Sequence, residues 1–202
     1  MSKKVLKVIS SLKGENSIST QLADAIINKI QEKEEVIVTE RDVVNEQIPH
    51  LDSNIFFSFI TPEAERTAAQ QETIEQSDAF VKEVLDADVI VIGVPMYNFT
   101  IPSVLKSWLD QIARSGITFK YTESGAVGLV EGKEVYLAIA TGGIYSEGPS
   151  AAYDFTERYL KAVLGFMGMT NVTAFRAEGL AVPDLAEKAL PLAKEKVDQY
   201  SF

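Results

Sequence analysis

Asp88-Val89-Ile90-Val91-Ile92-Gly93-Val94-Pro95 is the stretch that decides the fold. A strand with one wet face alternates apolar and polar residues, whereas this near-continuous run of branched apolar side chains suits a strand covered on both faces. It reads as the central strand of a parallel sheet. Outward from it, Val5 to Ser10 is a second apolar strand that runs into the turn-forming residues Ser10 to Ser17. Ile18, Leu22, Ala25, Ile26 and Ile30 then form one helical stripe, with Ser17 or Ser19 available to cap its start. Glu35 to Arg41 reads as a strand. Ala69 to Leu85 reads as a helix that closes on Phe80, Val81, Val84 and Leu85 along one face. Beyond the central strand, Pro102 marks a helix start, Val104, Leu105, Trp108, Leu109 and Ile112 its apolar positions, and Gly116 its end. Glu134 to Ala140 and Asn171 to Ala177 are the fourth and fifth strands, with helices at Tyr153 to Met167 and Leu185 to Tyr200.

Five strands alternating with helices imply an α/β, doubly wound parallel sheet with helices on both faces, because each parallel pair needs a right-handed crossover. No linker, repeat or low-complexity tract interrupts residues 1–202, so one domain is expected, with strand order 2-1-3-4-5 rather than a six-stranded dinucleotide sheet. Two stretches stand out. Between Pro49 and Pro62, Asn54 to Ile60 is too apolar for an ordinary loop and suggests a lid, a partner contact or a short buried helix. Residues 117–133 form a long glycine-bearing excursion of the kind that tends to be functional.

Composition narrows the function. With 19 Lys plus Arg against 29 Asp plus Glu the net charge is −10, and no basic cluster offsets it, so nucleic acid is not an expected partner. No apolar run approaches the roughly 18 residues of a membrane span, and Val5-Leu6-Lys7-Val8-Ile9 is too short for a leader's apolar core. Cysteine is absent, which excludes disulfides and thiolate metal sites and leaves the cytoplasm as the expected compartment. No carboxylate and histidine spacing suits a metal, and Asp42, Glu46 and Asp52 read as solvated surface.

Ligands of open α/β sheets bind beyond the carboxyl ends of the strands, where strand order reverses. Three loops qualify. Ser10 to Ser19 is rich in hydroxyls and ends at a helix N-terminus, which makes an anion site or simply a set of caps. Pro95 to Pro102 exposes Met96, Tyr97, Asn98 and Phe99, which suits a flat aromatic ligand or a sheet-to-helix seam. Thr141-Gly142-Gly143-Ile144-Tyr145 lets backbone N–H groups approach a ligand, or makes a tight turn. Competing motifs fail: there is no G-x-G-x-x-G after the first strand, Gly128 to Lys133 is one residue short of a phosphate-binding P-loop, and no G-x-S-x-G elbow accompanies the single His50.

These residues resemble the FMN-dependent NADH azoreductases, which are also NADH:quinone oxidoreductases, of the flavodoxin-like superfamily. The resemblance rests on Ser11 with Ser17-Ile18-Ser19, on Pro95-Met96-Tyr97-Asn98-Phe99 continuing to Leu105-Lys106, and on Gly116 to Thr122. Gly128-Leu129-Val130 with Gly132-Lys133, and Gly142-Gly143, complete it. It implies FMN phosphate and ribityl contacts at Ser11, Ser17, Ile18 and Ser19, and ring contacts at Met96, Tyr97, Asn98 and Phe99 with Ala140, Thr141, Gly142 and Gly143. This chain has Ala140-Thr141 where the family often has Ser-Arg, and Ile18 where glutamine is commoner, which leaves backbone contact at that position. Phe119, Tyr121 and Tyr145 are implied to wall the acceptor pocket. The resemblance also implies two half-reactions at one site, with electrons passing from NADH to FMN and on to a quinone or azo compound, and no catalytic side chain. A homodimer is implied, for which Ile55 to Ile60 is the candidate boundary. The alternative is a flavin-binding electron carrier or redox sensor on the same fold.

Overall fold

A computed structural model describes residues 2–202; Met1 lies outside the described residues. In chain order the strands are β1 (Lys3–Ile9), β2 (Val36–Asp42), β3 (Val89–Pro95), β4 (Phe119–Thr122), β5 (Gly125–Gly128), β6 (Glu134–Ala140) and β7 (Asn171–Ala177). The helices are α1 (Ile18–Gln31), α2 (Ser53–Ile60), α3 (Ala68–Asp86), α4 (Ser103–Ile112), α5 (Thr156–Phe166) and α6 (Pro183–Gln199). Five strands form one parallel sheet in the order β2-β1-β3-β6-β7, and β4 and β5 pair antiparallel on their own. Leaving the hairpin aside, this is the flavodoxin-like order 2-1-3-4-5 expected from the sequence.

Every residue of β3 is buried, as its unbroken apolar run requires. Alternate side chains feed two cores. Val89 and Val91 face α1 and α6, together with Leu22, Ile26 and Val197, while Ile90, Ile92 and Val94 face α3, α4 and α5, together with Phe80, Trp108 and Leu164. A period-two strand between two helix layers makes both faces count, so one strand can serve both cores only if no polar residue interrupts it. None does.

Several boundaries differ from the sequence reading. The excursion at 117–133 contains the β4–β5 hairpin, whose four-residue strands are mostly exposed and so carry almost no apolar alternation. The α4 helix stops at Ile112 rather than at Gly116, because the Thr118 hydroxyl donates to Ile112 O at 2.8 Å and accepts Arg114 N–H at 2.8 Å, turning the chain early. Tyr153 belongs to a 3₁₀ turn, and α5 begins at Thr156, where the Asp154 carboxylate accepts the Thr156 and Glu157 N–H groups at 2.9 and 3.2 Å. Leu85 is exposed, one position off the buried face of α3. Asn54 to Ile60 is a helix, but not a buried one: Phe56, Phe57 and Ile60 face solvent while Ile55 is covered. The acidic residues read as solvated surface do local work: Asp52 caps α2 through Ile55 N–H at 2.9 Å, Asp42 accepts Val44 N–H at 3.0 Å, and Glu46 pairs with Arg41.

Candidate functional site

β1 and β3 are neighbours, yet the chain leaves β1 toward the β2 edge and β3 toward the β6 edge, so their carboxyl ends flank a crevice. The loops after β1, β3 and β6 enclose there an open cleft of about 280 Å³, at the small end of the range for ligand sites.

The first loop supplies donors. Ser10 Oγ donates to Gly93 O at 2.7 Å and pins the end of β1 to β3. Ser11 is buried, accepts Lys13 N–H at 3.3 Å and stands 3.5 Å from the Tyr97 hydroxyl. Ser17 occupies the N-cap position of α1 but does not cap it, because its hydroxyl pairs with the Ser19 hydroxyl at 2.9 Å instead. The expected serine cap is therefore absent, and the Ile18, Ser19 and Thr20 N–H groups at the positive end of the helix dipole have no side-chain acceptor. Thr20, buried in the same turn, keeps a hydroxyl without a partner. Gly93 lets α1 start close to the sheet: a Cβ there would lie 3.3 Å from Ser19 O, so a side chain would press the helix start back by a few tenths of an ångström.

The second loop is strained. Tyr97 and Thr100 exchange backbone hydrogen bonds of 2.9 and 3.2 Å around Asn98 and Phe99, whose φ angles are 50° and 71°. Two left-handed central residues define a type I′ turn, and a non-glycine residue there costs about 1–2 kcal/mol. Neighbours hold it, with Met96 N–H on Ala140 O at 2.9 Å and Phe155 N–H on Phe99 O at 3.1 Å. In the third loop the carbonyls are tied down. Gly142 O accepts Ala181 N–H at 2.8 Å and Gly143 O accepts Gly179 N–H at 3.1 Å, while the Thr141 hydroxyl donates to Gly143 O at 2.7 Å. Thr141 O likewise accepts Leu180 N–H at 3.1 Å, and because each carbonyl shares a peptide plane with the next N–H, the fixed Thr141 and Gly142 carbonyls set the direction of the Gly142 and Gly143 N–H groups beside the cleft.

Of the residues singled out in the sequence, Ser11, Ser17, Ile18, Met96, Tyr97, Ala140, Thr141 and Gly142 line the cleft. Ser19 sits behind Ser17, and Gly143 adjoins Gly142. Asn98 lines a neighbouring hollow of about 520 Å³ on the α4 side, with Lys106 and Tyr159. Phe99 and Tyr145 meet edge to face at 6.3 Å, and Tyr153 adds a third ring 5.7 Å from Phe99. Phe119 and Tyr121 are not brought there. Phe119 packs on Phe166, at the far end of α5 from the cleft, with ring centroids 4.3 Å apart, and Tyr121 projects into solvent. Lys13, Asn16 and Pro95, which fall within the expected loops without having been singled out, also line the cleft, as do Leu180 and Ala181, which were not anticipated. The glycine at 179, with φ 82°, was the available signal for the last two, since it turns the chain back over the third loop. No Asp or Glu is among the lining residues, although the whole chain carries −10.

A doubly wound sheet with an acid-free, donor-rich crevice at its switch point defines the class of the protein. The family model described as having a flavodoxin-like fold matches residues 3–201. An FMN-dependent NADH:quinone oxidoreductase of Herminiimonas arsenicoxydans is 48% identical over 180 residues, covering 89% of this chain and 88% of the relative. An azoreductase structure from Bacillus anthracis str. Sterne superposes with TM-score 0.89 at 32% identity, covering 98% of this chain and 97% of that one. A second, the FMN-dependent NADH-azoreductase of Bacillus anthracis str. Ames Ancestor in complex with FMN, gives TM-score 0.83 at 26% identity, covering 98% and 99%. The chain belongs to the FMN-dependent NADH:quinone oxidoreductase family of flavodoxin-like enzymes.

Proposed function

We propose that this single-domain chain binds FMN in the cleft and uses it to move two electrons from NADH to quinones and azo compounds, with donor and acceptor taking turns at one face. The observation that carries the reading is the uncapped start of α1 facing a cleft with no acidic lining. The Ile18, Ser19 and Thr20 N–H groups and the Ser11 and Ser17 hydroxyls suit a phosphate without any arginine, because neutral donors at a helix N-terminus stabilise a dianion directly. Pro95, Met96 and Tyr97 offer an apolar floor to a flat ring, and Gly142 and Gly143 N–H groups suit its polar edge and the negative charge it gains on reduction. Bound FMN supplies the two-electron chemistry, so the side chains bind and orient and none acts as nucleophile or base. Phe99 and Tyr145, half-exposed at the rim, offer an aromatic wall to a flat acceptor.

Tyr121, exposed on the β4–β5 hairpin, would reach such an acceptor only from a second copy of the chain, which favours a homodimer, whereas Phe119 is spent on Phe166; the solvent-facing Phe56, Phe57 and Ile60 of α2 are the proposed contact. A monomer in equilibrium sedimentation at micromolar concentration would remove that part. The absence of cysteine fits a cytoplasmic enzyme. No helix among the described residues is long and apolar enough to cross a membrane.

The test is anaerobic mixing of the FMN-loaded protein with NADH. The enzyme is expected to bleach in one two-electron step and to recolour on addition of a benzoquinone or an azo dye, with parallel double-reciprocal plots as donor and acceptor are varied. Intersecting plots would overturn the alternating scheme, and colour that NADH does not discharge would favour an electron carrier.

A further inference from the structure

Arg176 stands at the carboxyl end of β7, one strand beyond the cleft, with its side chain about one-tenth exposed. Its Nη1 donates to Glu157 Oε2 at 2.6 Å, and its Nη2 donates to Asp154 Oδ2 at 2.8 Å and to Glu178 Oε1 at 3.2 Å. Its Nε is buried without a partner. Two of the carboxylates have a second task. Glu178 Oε1 also accepts the Tyr145 and Ser146 N–H groups at 2.8 and 3.0 Å, and these follow Gly143 in the third cleft loop. Asp154 Oδ1 accepts Thr156 N–H at 2.9 Å and so fixes the start of α5 beside Phe155, whose own N–H holds Phe99 O at 3.1 Å in the second cleft loop. One guanidinium thus stands between the two loops that flank the cleft. Three carboxylates converge there, and among the described residues only Glu157 has a cation besides Arg176, namely Lys161 at 2.7 Å; Arg158 borders the same hollow but is exposed. Without the guanidinium, repulsion between Glu178 and Asp154 would part the loops they hold.

We propose that Arg176 is a positioning residue for the flavin ring, setting the separation between the Gly142–Ser146 loop and the Asn98–Phe99 loop. The inference rests on the flavin reading of the cleft but concerns residues that do not touch the ring. Planarity matters: the guanidinium fork reaches Asp154, Glu157 and Glu178 from one rigid plane, which a single ammonium cannot do. Burial pulls the Arg176 pKa down, and the Glu178 and Asp154 charges more than offset this, so the group stays charged at any pH the fold survives.

Two measurements on Arg176→Met, Arg176→Lys and the control Arg158→Met test it. In the flavin-free protein, amide hydrogen exchange is expected to speed up at Tyr145, Ser146 and Phe155 in both Arg176 variants and to stay unchanged in Arg158→Met, which loses the same charge. In the loaded protein, the FMN dissociation constant is expected to rise about tenfold in both Arg176 variants, with the acceptor KM rising more than kcat falls. Arg176→Lys, which keeps the charge and most of the packing, covers the case in which Arg176→Met fails to fold. Wild-type exchange and FMN affinity in Arg176→Lys would overturn the proposal, as would exchange that quickens on one loop only. A wild-type protein that binds no FMN, with exchange still faster on both loops in the variants, would overturn the flavin reading while leaving the bridge in place.

Discussion

Phe99 holds a left-handed backbone at φ 71° with its ring half in solvent, which is a poor bargain for a bulky residue unless the ring has a use. Removing the side chain separates strain from function. Phe99→Gly relieves about 1 kcal/mol of backbone strain but gives up the covered half of the ring, worth about 2 kcal/mol, so thermal melting of the flavin-free protein is expected within about 4 °C of the wild-type temperature. The same variant is expected to raise the acceptor KM severalfold, because the edge-to-face contact with Tyr145 goes too. A melting temperature lower by more than about 4 °C would show that the ring is there for packing. The identities of Ser11, Met96, Tyr97 and Gly142 were legible in the sequence because loops at strand ends can be located from the strands alone. Which way their groups point was not. Ser17 reads as a cap, and only the proximity of Ser19, at 2.9 Å between hydroxyls, turns it away from the helix and frees the backbone donors.

At the scale of the element, the β4–β5 hairpin shows how a segment without apolar periodicity is held. A Cβ at Gly128 would lie 2.1 Å from Gly168 N, so the end of β5 touches the turn after α5 backbone to backbone, and Val130 N–H seals the contact on Met167 O at 2.8 Å. No neighbouring side chain can yield there. Gly128→Ala is expected to cost about 3 kcal/mol in urea unfolding, the upper range for overpacking, and a loss below about 1 kcal/mol would mean that the hairpin swings clear of α5 at little cost. The hairpin escaped the sequence reading because β4 and β5 rest on glycine contact and one aromatic pair, Phe119 on Phe166, rather than on an alternating face. Helices α1 and α3 and strand β3 were legible for the opposite reason: each buries one stripe or two faces against a single flat partner, so the burial pattern is written in the residue period.

For the whole molecule, the pH dependence of stability follows from its buried phenol and paired lysines. Tyr136, on β6, packs against the C-terminal aromatics Tyr200 and Phe202, where burial first, and the Glu134 charge second, push its pKa well above the ordinary 10.0. Lys3 and Lys7 are also raised: burial opposes the charge, but the carboxylates of Glu34 and Glu134, and of Asp24 and Glu40, outweigh it. A group whose pKa is higher in the folded state contributes stability that is whole below its unfolded pKa and fades as pH rises toward its folded one, because only the unfolded chain releases the proton. Stability is therefore expected to fall from about pH 10 upward, and Tyr136→Phe to flatten that fall. Urea midpoints at pH 7, 9, 10 and 11 check this, and equal slopes in the two proteins would exclude the tyrosine as the cause.

The amino-acid sequence by itself determined that five strands alternate with helices, which of them is central, and that serines, an aromatic loop and paired glycines gather at one edge of the sheet. Those are consequences of local periodicity and of chain direction, and a parallel sheet leaves little choice once both are known. Only the tertiary structure decided that α1 starts uncapped, that Phe119 and Tyr121 stand away from the cleft of their own chain, and that Arg176 joins two loops it does not belong to. The first depends on a hydroxyl pair two residues apart, and the other two on groups that packing brings together from distant parts of the chain; such contacts have no period for a sequence to display.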